Sequence, residues 1–273
     1  MSKLKETLDG IYTRFNRPEY IHPDPLEFLY HYEHPRDIEI VGLVASSLAY
    51  GRVAQILKNV SRVLDVMGPS PFDYLVSSSR HSLERDFAGF RHRFTSGSDI
   101  AALLWGARGL IAEYGSLNAC FVTGLRPEDE TVLPAMTKFV EEMEKRAGCR
   151  LDFILPSPKR KSACKRLNLF IRWMVRRDNV DPGIWSGIPS SKLIVPMDTH
   201  MHRICRRLGF TQRRQADLCA ALEATKAFSR ISPEDPVKYD FALTRPSIAD
   251  IPAPELPMAE GEGFEPPDPK RVW

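Results

Sequence analysis

Cysteine is scarce in this chain and wrongly spaced for metal chemistry. The 273 residues hold five, and Cys120, Cys149, Cys164, Cys205 and Cys219 form no CxxC pair. That excludes the thiolate spacings of structural zinc and iron–sulfur clusters, and an odd count argues against a disulfide framework. Reduced thiols and a cytoplasmic protein are the expectation. No run reaches the roughly 18 apolar residues of a membrane span, and the opening MSKLKETLDGIYTRFNRPEY lacks an apolar signal-peptide core. An excess of one charge is missing too: 38 Lys+Arg stand against 35 Asp+Glu, a net charge of +3. The average therefore says little about partners, and local density has to decide. Sustained period-two alternation and internal repeats are absent, so the expected fold is all-α or nearly so.

What the sequence does have is helical periodicity. PRDIEIVGLVASSLAYGRVAQILKNVSRVLDVMG reads as two packed helices, Pro35 opening the first and Gly51 near their junction. Further helices are expected up to a break at Gly115, over ETVLPAMTKFVEEMEKRA before Gly148, from about Ser162 to Arg176, over TQRRQADLCAALEATKAFSRI, and after Pro236. Residues 1–248 are expected to form the globular part. Residues 249–273, rich in Pro, Gly and Glu, read as a disordered tail.

Two segments concentrate the chemistry. In VPMDTHMHRICRRLGF, the stripe Met201, Ile204, Cys205, Leu208 starts just after Asp198, which is thereby placed as an N-cap. Capping alone explains an aspartate there. Yet an apolar, proline-stiffened approach and the neighbouring cations also suit a carboxylate at the rim of a cleft, able to stabilise positive charge or activate a nucleophile. His200 and His202 are two apart, face different directions on a helix and cannot chelate one metal, so neither a metal site nor a cofactor is expected. The second segment, SPKRKSACKRLNLFIRWMVRR, gathers Lys159, Arg160, Lys161, Lys165, Arg166, Arg172, Arg176 and Arg177 among apolar residues. Such a helix start suits phosphate. The alternative is a solvated basic face balanced by the acids at 128–130 and 141–145, with Asn168 and Trp173 packed inside.

VPMDTHMHRICRRLGF resembles the VDTHVxRVxxRLGL-like segment of the helix-hairpin-helix DNA glycosylase superfamily, with Pro196, Asp198, Thr199, His200, Arg203, Arg207, Leu208 and Gly209 in register. LPSPKRKSACKRLNLF resembles its LPGVGxKTA hairpin, with Ser157 and Lys159 at the glycine positions and Lys161 at the lysine. Lys165 fits the longer insertion of archaeal 8-oxoguanine glycosylases and is preferred, with Lys161 as rival. Through PRDIEIVGLVASSLAYGRV, CKRLNLFIRWMVRRDNVDPGIW and DPVKYDFALTR, residues 1–245 also resemble a family of bacterial conserved hypothetical proteins known as a domain of unknown function.

The superfamily resemblance implies two helical lobes around a cleft, with Asp198 at its base and Tyr50, Arg52 and Trp173 as pocket candidates. It implies a DNA glycosylase acting on double-stranded DNA with a damaged base. Asp198 would stabilise the sugar cation, and a lysine or a water would attack. Lys159, Arg160, Arg166, Arg172, Arg176, His200, Arg203 and Arg207 would hold the DNA. A non-catalytic nucleic-acid-binding protein of the same fold, or a helical interaction protein, are the competing readings; oligomeric state stays open.

Overall fold

Twelve helices and one minimal hairpin make up the fold in the computed structural model, which describes residues 2–248. The expected tail, 249–273, lies outside the described residues. In chain order the elements are α1 (Ser2–Phe15), α2 (Pro35–Ser47), α3 (Val53–Met67), α4 (Pro71–Ser77), α5 (Arg80–Asp86), β1 (Arg91–His92), β2 (Thr95–Ser96) and α6 (Gly97–Tyr114). Then follow α7 (Leu117–Val122), α8 (Leu133–Ala147), α9 (Lys165–Val175), α10 (Thr199–Arg207), α11 (Leu218–Ser229) and α12 (Asp240–Ile248). The helix breaks fall where the stop signals stand: Gly115 and Gly148 end α6 and α8 in left-handed conformation. The basic helix starts at Lys165 and not near Ser162, because Cys164 just before it takes a left-handed φ of 46° that a right-handed helix cannot include.

α9 runs through the core against α2. Gly42 makes this possible, since a Cβ there would lie 2.8 Å from Met174 and 3.4 Å from Phe170. Around that contact Phe170, Trp185, Phe121 and Phe139 stack as one aromatic cluster, each ring's burial worth about 1.5–3 kcal/mol. Glu39 of α2 is buried there too and stays satisfied, accepting from Trp185 Nε1 at 2.7 Å and from the backbone of Leu117 and Asn118 at the start of α7.

The polar side of α9 is not the DNA-facing surface expected of it. Arg172 and Arg176 are each 3% exposed and sit in a buried ion network. Arg172 donates to Asp181 at 3.1 and 3.2 Å and pairs with Asp240, while Arg176 pairs with Asp181, Asp178 and Asp235. Burial works against both guanidiniums, but the surrounding carboxylates hold both above the ordinary arginine range. Both guanidiniums are thus engaged by carboxylates, although Arg172 also borders the cavity described below. Trp173 is fully buried and is not in the wall of that cavity, so it packs the core and does not line the pocket.

Candidate functional site

Four helices begin at one cavity. Its volume is about 610 Å³, and its wall includes the start of α9 (Cys164, Lys165), of α10 (Asp198, Thr199), of α11 (Asp217) and of α12 (Asp240). Helix starts carry free N–H groups and partial positive charge. At α10 and α11 the matter is settled by capping aspartates, Asp198 and Asp217, and α12 opens with Asp240. α9 differs: Cys164 gives it no side-chain cap, and its first residue is a lysine.

The consequence is a lysine facing an aspartate. Lys165 Nζ lies 3.5 Å from Asp198 Oδ2, with the two side chains 32% and 22% exposed, and also 3.4 Å from the Ala49 carbonyl. Asp198 divides its oxygens: Oδ1 accepts from the backbone of His200 and Met201, both at 2.9 Å, and Oδ2 meets the lysine. Lys161 lines the same cavity from a tight loop, where it and Cys164 take left-handed φ of 61° and 46°. Those are the loop's left-handed positions, not Ser157 and Lys159.

The remaining candidates divide by surroundings. Tyr50, Arg166 and His200 line the cavity, and the His200 Nδ1 is buried with no hydrogen-bond partner among the described residues. Arg166 is committed to the scaffold, donating to the carbonyls of Ser47 (2.9 Å) and Phe153. Arg52 is exposed and outside the cavity wall, where it precedes α3. Lys159 pairs with Glu141 and Arg160 with Asp152 at the surface, as a basic face balanced by acids would have it. Arg203 and Arg207 are exposed on α10. No group of three His, Cys, Asp or Glu among the described residues could hold a metal, and no described helix is long and apolar enough to cross a membrane.

Asp240 escaped the sequence reading, although it opens the quoted DFALTR segment. It is 5% exposed, lines the cavity and pairs with Arg172. Burial pushes its carboxyl up to about 6, with the Asp198 charge adding to the effect and Arg172 opposing it. The folded state thus holds this proton more tightly than the unfolded chain. The stabilisation is complete below the unfolded value of 3.8 and is lost as pH rises through about 6. The loss should be of the order of 3 kcal/mol. Urea unfolding of the wild type and Asp240→Asn at pH 4 and 7 checks it: the wild type should lose stability relative to the variant over that interval.

Residues 24–249 match the family described as "Protein of unknown function (DUF2400)", in line with the resemblance to a domain of unknown function, though over a later start than residue 1. No curated protein and no solved structure matches the chain.

Proposed function

Since this chain belongs to the DUF2400 family of proteins of unknown function, we propose its activity from the cavity's chemistry: excision of a base from damaged double-stranded DNA by Lys165 and Asp198. The observation that carries this reading is the Lys165 Nζ to Asp198 Oδ2 approach of 3.5 Å inside a cavity of about 610 Å³. The resemblance of the Asp198 and Lys165 segments to helix-hairpin-helix glycosylases supports it. A base must leave the stack to enter such a cavity, which costs a few kcal/mol.

Lys165 would give up a proton to Asp198 and attack the sugar carbon C1′ with its lone pair. The bond from C1′ to the base breaks, its electron pair leaving with the base, which takes the proton from Asp198 and returns that group to a carboxylate. The new C1′–nitrogen group then passes one proton to O4′ as the C1′–O4′ bond opens, leaving an iminium between Lys165 and the sugar, reducible by borohydride. Asp198 stabilises the cationic sugar on the way.

The test is a panel of duplexes carrying 8-oxoguanine, uracil, alkylated bases or an abasic site, with borohydride present, for wild type, Asp198→Asn and Asp198→Ala. Asparagine keeps the capping oxygen and removes the charge, so Asp198→Asn should fold normally and lose activity by about 100-fold or more. Asp198→Ala should also lose about 1 kcal/mol of stability. Salt-sensitive binding without product or adduct would replace the enzyme by a nucleic-acid-binding protein.

A further inference from the structure

From Tyr50 in the cavity wall a ladder of rings leads outward. Ring centroids lie 4.6 Å apart from His92 to Tyr50, 5.3 Å from Tyr50 to Phe153 and 5.5 Å from Phe153 to Phe94, each pair edge to face. The ladder begins in the interior, with His92 1% exposed, and ends in solvent, with Phe153 41% and Phe94 69% exposed. Guanidiniums interleave with it: Arg166 lies over Tyr50 and Phe153, and Arg93 over Phe94.

The exposed end is held in place. Arg93 and Phe94 are the two-residue tip between β1 and β2, and the residues on either side, His92 and Thr95, are buried. Tyr50 Oη donates to the His92 carbonyl and lies within hydrogen-bond distance of Thr95 Oγ1, both at 2.7 Å. The His92 ring joins Asn59 (3.0 Å) to the Tyr50 carbonyl (3.0 Å). Arg93 takes a left-handed φ of 52°, and Gly51, at φ 99°, leaves it room, since a Cβ there would fall 2.9 Å from Arg93 Cδ. A strained backbone fixed by buried anchors therefore holds a phenylalanine ring in water. Arg91 and Arg93 of the hairpin, and Arg52 next to Gly51, form no ion pair among the described residues. Flat apolar rings among unpaired cations complement a polyanion that itself carries flat rings.

We propose that Phe94, backed by Phe153, is a stacking platform for an unpaired nucleobase beside the nucleotide that enters the cavity. The platform engages single-stranded or locally opened nucleic acid. That it neighbours the reacting nucleotide rests on the function proposed above; that it stacks a base does not.

The test uses the full chain and oligonucleotides with 2-aminopurine next to an abasic site, single-stranded and in duplex, at low salt. Wild type should quench the fluorescent base on binding. Phe94→Ala should lose the quench and weaken single-strand binding roughly tenfold or more, and Phe94→Trp should keep both. Melting curves of the variants should match the wild type, the ring being exposed. Unchanged quench and affinity in Phe94→Ala would overturn the platform, as would absence of single-strand binding by the wild type. A Phe94→Ala variant that changes only sedimentation would also overturn it, making the ring a contact between copies of the chain. Borohydride trapping by the wild type, read in parallel, judges the cavity chemistry separately: no adduct with an intact quench sinks the lysine chemistry and leaves the platform.

Discussion

Replacing Lys165 with alanine should abolish the borohydride-trapped adduct and lower base release roughly a thousandfold or more, while leaving the protein at least as stable as before. The two effects have separate causes. Lys165 is the first residue of α9 and sits at its positive end with no side-chain cap, a position that favours acids over bases. Its contact with Asp198 at 3.5 Å offsets part of that penalty, and with the side chain 32% exposed the pair is worth little in water. Removing the charge should therefore change stability by between zero and about +1 kcal/mol. Lys165→Arg sharpens the experiment, because it keeps a cation beside Asp198 but removes the amine that attacks. Both variants should lose the adduct, and thermal melting should show both folded. An adduct that survives Lys165→Ala and disappears in Lys161→Ala would move the nucleophile to the loop lysine.

The largest loss of stability should come from Asp181. This carboxylate is fully buried, accepts from Arg172 at 3.1 and 3.2 Å and also pairs with Arg176. Asp181→Ala leaves two guanidiniums in the interior with part of their countercharge gone, a change that costs about 3–5 kcal/mol in buried pairs. Since domains of ordinary stability have only about 5–15 kcal/mol in hand, the variant should unfold at much lower urea or fail to accumulate. Lys159→Ala is the control. Its pair with Glu141 has side chains 66% and 47% exposed, so the urea midpoint should hardly move. A small shift for Asp181→Ala would mean that Asp178, Asp235 and Asp240 carry the two arginines without it.

The contrast between these residues explains what the sequence could disclose. The start of α10 was legible because its signals are local: an aspartate, a threonine and an apolar stripe at helical spacing all lie within one segment. Two partners of Arg172 and Arg176 were not, because Asp240 and Asp235 come from another helix and its approach. A helical wheel can say that a charge faces away from the apolar stripe, but not that distant acids will cover it. The β1–β2 hairpin left no signal, since two-residue strands show no alternation and its left-handed position holds Arg93 where glycine is usual. The pairing of Lys165 with Asp198 was expected only through the family resemblance, because no local signal marks a contact that arises where two helix starts meet in space.

That meeting of helix starts bears on how an activity here would vanish in descent. Asp198 caps the start of α10 whether or not any chemistry happens at its other oxygen, so a lineage that abandoned catalysis would still be held to an aspartate or asparagine there. Lys165 has no such second employment and, at the positive end of its helix, is mildly unwelcome. It would be the first to drift. Among descendants of this chain the aspartate therefore testifies to folding, and the lysine is the residue that tells a working enzyme from a lapsed one.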